Sequence, residues 1–150
     1  MTEIANCRII KAQTIFGGFM ALRDSSTIAF RKYARLCRDA DEISYFSLSA
    51  RLKGCCKTER EALKILAVKD LFDMLRASGK SETVDAVKAA YFVDFGRTPR
   101  KSDVSDRVRK FAFEHNMDDR TVFRRIEEAK KLYENLVQIR LKGAKNEDNA

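Results

Sequence analysis

Hydrophobic residues recur at helical spacing along the chain from Ser25 onwards, and no run of alternating apolar and polar residues competes with them. Within residues 26 to 38, the apolar positions three or four apart are Ile28, Phe30, Tyr33, Ala34 and Cys37. This spacing places their side chains on one face of an amphipathic helix. The pattern predicts an all-α protein.

Two further helices are predicted in the N-terminal half. Thr58 followed three positions later by Glu61 has the form of a capping box, and Gly79 is suited to end the helix that begins there. The apolar side of this helix carries Leu63, Ala67, Leu71, Met74 and Leu75. Ser81 is the predicted N-cap of the next helix. Its apolar face carries Val84, Val87 and Tyr91.

Two segments fit no single element. Residues 3 to 22 suit either a helix or, between Cys7 and Ile15, a short strand, and the Gly17–Gly18 pair breaks both. Residues 44 to 56 have no decisive pattern.

The predicted organisation is an N-terminal helical body over residues 1–96 and a C-terminal helix-turn-helix module over 97–143, followed by a frayed tail over 144–150. The domain count is one or two. Residues 97–101 form a basic connector at the boundary.

The C-terminal module is predicted as two helices separated by a tight turn. Ser102 or Ser105 would cap the first helix, whose buried stripe is Val104, Val108, Phe111 and Ala112. Residues 116 to 119 then interrupt the helical pattern. Asn116 tolerates the left-handed backbone of such a turn, and Asp118 or Asp119 can cap the next helix.

The last helix is predicted from about Arg120 to Lys142, a length of roughly 34 Å. Its apolar side carries Val122, Phe123, Ile126, Ala129, Tyr133, Leu136 and Val137. The opposite side carries Arg120, Arg124, Glu127, Lys131, Asn135 and Gln138, within roughly 80° of one another.

A helix with this division can pack by one side and enter the major groove of DNA by the other. We expect Arg120, Thr121 and Arg124 to lie nearest the base edges, and Arg125 and Lys131 to meet phosphates.

Composition supports a polyanionic partner. The 150 residues carry a formal net charge of +8, from 30 Lys and Arg against 22 Asp and Glu. The charge is denser in the C-terminal part, because residues 97–142 hold 13 basic and 8 acidic residues while the longer stretch 1–96 holds 16 and 12. Nucleic acid, and double-stranded DNA in particular, is therefore the expected partner.

The chemistry-bearing residues indicate neither a metal site nor an enzyme. The four cysteines are Cys7, Cys37, Cys55 and Cys56. They lack the two close pairs that zinc sites use, so we expect buried or half-buried thiols and no metal or other cofactor. Neither an export signal nor a membrane-spanning stretch is visible, which predicts a cytoplasmic protein. His115 is expected to be a partly buried turn residue, because no partner residues for catalysis stand out.

Residues 111 to 126, with the sequence FAFEHNMDDRTVFRRI, resemble the helix-turn-helix of sigma factor region 4 and of phage late-gene activators. In that pattern Ala112 lies where the two helices cross, Met117 plugs the core at the turn, and a Thr-Val pair opens the recognition helix. The resemblance implies a transcription regulator encoded by a phage or mobile element, with RNA polymerase or another protein as a further partner.

Two alternatives stay open. One is a small phage-encoded inhibitor or interaction protein that binds a host nucleoprotein complex through its basic helix. The other concerns the last helix, where Leu132 and Ile139 broaden the apolar arc. This extra apolar surface fits either packing against the N-terminal helices or a homodimer contact that would suit two DNA half-sites.

Overall fold

The computed structural model describes residues 24–38, 42–93 and 100–148, and this part of the chain contains six helices and no strand. The helices are α1 (Ser25–Leu36), α2 (Tyr45–Cys55), α3 (Glu59–Ala77), α4 (Ser81–Tyr91), α5 (Lys101–Glu114) and α6 (Asp119–Asp148). The predicted all-α class is confirmed. The ambiguous segment 3–22 and most of the connector, residues 97–99, lie outside the described residues. The undecided segment 44–56 forms α2.

Capping side chains define where the N-terminal helices begin. The side chains of Asp24, Ser44 and Thr58 accept backbone N–H bonds at the starts of α1, α2 and α3. Gly79 has a φ of +76°, and the carbonyls of Leu75 and Arg76 accept from the next turn in a Schellman arrangement. The predicted start and end of α3 are therefore confirmed.

Three predictions about caps and chain ends are wrong. Ser81 is the first residue of α4, and the N-cap position belongs to Lys80. Ser102 and Ser105 lie inside α5, whose N-cap is Arg100. The Asp103 carboxylate accepts the backbone N–H of Arg100 at 3.1 Å, so an acidic residue in the first turn stabilises this end instead of a serine. At the other end, α6 continues past its predicted end at Lys142 to Asp148.

One buried cluster joins all six helices. Phe30 of α1 lies at its centre and is fully buried. Its ring contacts the rings of Phe72, Tyr91 and Tyr133, with centroid distances of 6.4, 5.8 and 5.5 Å. These residues come from α3, α4 and α6, so the C-terminal helices share their core with the N-terminal helices.

The long helix α6 packs along α3. The Tyr133 hydroxyl donates to the Lys64 carbonyl at 3.2 Å, and further along Arg140 pairs with Asp70. Leu132 and Leu136 are partly buried against the core, whereas Ile139 stays 65% exposed. The apolar arc of α6 is thus largely used for packing against other helices of the same chain.

An ion pair near the core ties α6 to the start of α1. Lys130 is 4% exposed, and its ammonium lies 3.2 Å from the Asp24 carboxylate and 5.2 Å from the centre of the Tyr91 ring. Asp24 also caps α1 through its other carboxylate oxygen, at 2.9 Å from the Thr27 N–H. One carboxylate therefore serves both a helix cap and a buried ammonium.

The cysteines that fall in the described ranges are thiols that differ in exposure. Cys37 is buried and Cys56 is half-buried, as expected. Cys55 is exposed at the end of α2, which corrects the expectation of burial; Cys7 lies outside the described residues. None of the helices of residues 24–38, 42–93 and 100–148 combines the length and apolar character needed to cross a membrane.

Candidate nucleic-acid interface

The candidate interface is built on three helices, α4, α5 and α6, which pack pairwise against one another. The predicted stripe of α5 is buried, since Val104, Val108, Phe111 and Ala112 are each at most 5% exposed. Ala112 is fully buried. The helix pair α5–α6 is therefore held from behind by α4 and the shared core.

The turn between α5 and α6 has the geometry expected of Asn116. This residue has a φ of +52°, the single positive value at a non-glycine residue in the described part of the chain. The Met117 N–H donates to the Ala112 carbonyl at 2.8 Å, and the Asn116 N–H donates to the Phe113 carbonyl at 3.3 Å. These two bonds form a Schellman motif, and Met117 packs against the core beneath it. The turn thus fixes the direction in which α6 leaves α5.

Asp118 organises the first turn of α6. Its carboxylate accepts the Arg120 N–H at 3.3 Å, and its carbonyl accepts the N–H groups of Thr121 and Val122 at 3.0 and 3.2 Å. Asp119 lies in the first turn, 3.9 Å from the Arg109 guanidinium of α5. Of the two aspartates predicted as caps, Asp118 is the one that caps.

The buried side of α6 determines which side faces solvent. The predicted apolar residues Val122, Ile126, Ala129, Tyr133 and Val137 are at most 6% exposed, and Phe123 and Leu136 are partly buried. This prediction of the apolar face is confirmed. On the opposite side of the helix, the exposed residues are Arg120, Arg124, Lys131, Asn135 and Gln138.

A row of basic side chains follows this outward side. Arg120, Arg124 and Lys131 are exposed, and none of the three has an ion-pair partner among residues 24–38, 42–93 and 100–148. Thr121 is half-buried beside the first of them. Four of the five predicted site residues therefore lie along the solvent side of α6 or at its edge.

Arg125 differs from the other predicted site residues. Its guanidinium lies 3.3 Å from the Glu82 carboxylate of α4 and 3.9 Å from the Met117 sulfur. The side chain is 37% exposed. Arg125 thus ties α6 to α4, and a phosphate would have to compete with Glu82 for it.

Sequence reasoning missed exposed residues at both ends of this surface. Arg109, Lys110 and Phe113 lie outward on α5, and Phe113 is 85% exposed. At the far end, Lys142 is exposed and continues the row of α6. A helical wheel of α5 shows its solvent side and could have revealed the residues of that helix. Lys142 was missed because the last helix was predicted to end there.

His115 has a local role at the C-cap of α5. Its ring stacks on the Phe111 ring at 3.9 Å, and Nδ1 lies 2.9 Å from the Phe111 carbonyl oxygen. The residue is exposed, not partly buried as expected. Within the described residues, no three His, Cys, Asp or Glu side chains converge as metal ligands would.

Comparison with known proteins adds no family to this geometry. No family model, curated protein or solved structure matches the chain.

Proposed function

We propose that this protein is a sequence-specific regulator of transcription that binds double-stranded DNA through α6. The observation that carries the proposal is the row of exposed, unpaired cations Arg120, Arg124 and Lys131 on the outward side of a helix whose other side is locked into the core. A rigidly anchored helix with long donors on its free side is what major-groove recognition requires.

The spacing along α6 divides this row into two roles. Arg120 and Arg124 are separated by about 6 Å along the helix axis, a distance that the first turns of a helix can place inside a major groove about 12 Å wide. Lys131 lies about 10 Å beyond Arg124. A helix that enters the groove by its N-terminus has begun to leave it there, so Lys131 meets the phosphate backbone.

The acidic residues of α6 do not interrupt the row. Glu128 and Glu134 flank it on opposite edges, about 80° and 40° from Arg120 on a helical wheel. Glu127 is half-buried, and one of its carboxylate oxygens is buried. A polyanion lying along the row would contact the three cations, with Glu128 and Glu134 at its edges. The more specific role, transcription regulation by a phage or mobile-element protein, follows from the resemblance of residues 111 to 126.

The proposal is tested by selecting a preferred duplex from a random DNA library and measuring its affinity by fluorescence anisotropy at several salt concentrations. The variant Arg120→Ala/Arg124→Ala/Lys131→Ala removes the row. We expect a large loss of affinity, and a fall of about one unit in the slope of log affinity against log salt from the lost phosphate contact of Lys131. The matched control, Arg35→Ala/Lys53→Ala/Lys57→Ala, removes the same charge from exposed positions near the C-terminal ends of α1 and α2 and between α2 and α3. It should bind DNA nearly as tightly as the unmodified protein.

Equal losses in the two triple variants would contradict the proposal, because affinity would then follow total charge and not the row on α6. Selection that enriches no sequence would contradict its sequence-specific part.

The second candidate is an interaction protein that binds a partner of the nucleoprotein machinery. The exposed Phe113 favours it, because a large apolar side chain at 85% exposure is more typical of a protein contact than of a DNA contact. Under this alternative, Phe113→Ala reduces binding to a protein partner, and the triple variant on α6 leaves DNA binding unchanged.

A further inference from the structure

The described part of the chain contains a concave cavity of about 370 Å³ between α1 and the start of α3. Its apolar wall is formed by Ile28, Ala29 and Ile65. Ile28 is 44% exposed, whereas Ala29 and Ile65 are 4% and 2% exposed, so Ile28 supplies most of the accessible apolar wall. The volume lies within the range of pockets that hold small organic ligands.

The polar residues of this cavity carry an excess of positive charge. Lys32, Arg60 and Lys64 line it, against the single carboxylate of Glu61. That carboxylate lies 2.6 Å from the Lys32 ammonium, so it is already neutralised. Arg60 and Lys64 have no ion-pair partner in the part of the chain that the structure covers. An apolar wall beside two free cations is complementary to a molecule with an apolar body and an anionic group.

The residues around the cavity also contact the helix that carries the candidate DNA interface. The Lys64 carbonyl accepts the Tyr133 hydroxyl of α6 at 3.2 Å. Ser25, which lines the cavity, directly follows Asp24, the partner of the buried Lys130 on α6. A ligand that shifts α1 against α3 therefore acts on two contacts that hold α6 in position.

We propose that this cavity is a binding site for a small organic anion with an apolar or aromatic body, and that its occupation alters the affinity of α6 for DNA. The second part rests on the proposed function, whereas the first does not. The protein then acts as a ligand-responsive regulator in which the N-terminal helices sense a metabolite and the C-terminal helices bind DNA.

The binding site is tested with 8-anilinonaphthalene-1-sulfonate, which joins an aromatic body to one anionic group and fluoresces in apolar surroundings. The unmodified protein should bind it saturably, with one molecule per chain. Arg60→Gln/Lys64→Gln should weaken this binding by about tenfold or more, as expected when hydrogen bonds to a charged group are lost. The control Arg35→Gln/Lys53→Gln removes equal charge from exposed positions that do not line the cavity and should leave it unchanged.

Absence of saturable binding, or equal weakening in both double variants, would overturn the site. Circular dichroism of each variant is measured in parallel, so that binding by unfolded protein is recognised. The coupling is tested by repeating the DNA titration with saturating 8-anilinonaphthalene-1-sulfonate: affinity should change in the unmodified protein and not in Arg60→Gln/Lys64→Gln. If the probe leaves the DNA affinity of both proteins unchanged, the effector role is overturned but the anion-binding site is not. If the protein binds no DNA even without the probe, only the proposed function is contradicted.

Discussion

The buried pair of Lys130 and Asp24 allows a sharp test of how α6 is held against the N-terminal helices. The Lys130 side chain is 5% exposed and the Asp24 side chain is 32% exposed. Asp24→Asn keeps an oxygen that can cap α1 but removes the charge that faces the ammonium. Because the buried ammonium then loses the carboxylate that neutralises it, we expect a loss of about 3 kcal/mol in the free energy of unfolding.

Two further variants complete the cycle. Asp24→Ala also removes the cap of α1, which adds about 1 kcal/mol to the loss. Lys130→Met in the Asp24→Asn background removes the stranded ammonium and replaces it by an apolar chain of similar length. We expect this double variant to regain most of the lost stability, to within about 1 kcal/mol of the unmodified protein.

The assay is urea unfolding followed by circular dichroism, with the slope of the transition checked for constancy. The matched control is Glu61→Gln, because the Lys32–Glu61 pair is 41% and 31% exposed and its loss should lower the free energy of unfolding by much less than Asp24→Asn does. A loss of stability in Asp24→Asn no larger than in Glu61→Gln, or no recovery of stability with Lys130→Met, would contradict a stabilising role for this pair.

Three other predictions concern packing, pH and the thiols. Ala112→Leu should cost about 1–3 kcal/mol by overpacking a fully buried site, as thermal unfolding would detect, whereas Ala50→Leu on the exposed face of α2 should be nearly neutral. Burial raises the pKa of Asp70, but hydrogen bonds from Arg140 and Tyr45 lower it by more than burial raises it. The pKa of Asp70 therefore lies below its ordinary value. The Asp70–Arg140 pair therefore stabilises the fold above about pH 4, and this contribution is lost as the pH falls. In Asp70→Asn, the free energy of unfolding measured from pH 5 to 2 should fall less steeply than in the unmodified protein. Thiol titration of freshly purified, denatured protein should find all 4 cysteines reactive, and metal analysis should find no stoichiometric zinc; bound zinc or fewer thiols would contradict the assignment.

Much of the fold was predictable because its signals are local. The apolar stripes of α3 to α6 recur every three or four residues, and Thr58, Gly79 and Asn116 mark helix ends through backbone preferences that belong to each residue type. The outward side of α6 followed from the same periodicity. Once the apolar side is buried, the positions of Arg120, Arg124 and Lys131 are determined.

The remaining features depend on partners distant in sequence. Nothing near Arg125 indicates that Glu82 would pair with it, and nothing near Lys130 indicates that Asp24 would allow its burial. The start of α5 was misplaced because serine is the commoner cap, whereas here Asp103 reaches back to the backbone of Arg100. The helix α2 was missed because its apolar pattern is weak: Leu48 and Leu52 are its buried residues.

The measurement that tests the central claim most directly compares Arg124→Ala with Lys131→Ala on the selected duplex and on a scrambled duplex. If α6 reads bases through its first turns, Arg124→Ala should cost about 1–3 kcal/mol on the selected duplex and little on the scrambled one. Lys131→Ala should weaken both duplexes alike and lower the salt slope by about one unit. Equal effects of both substitutions on both duplexes would contradict sequence reading by α6, and no effect of either would remove α6 from the DNA interface.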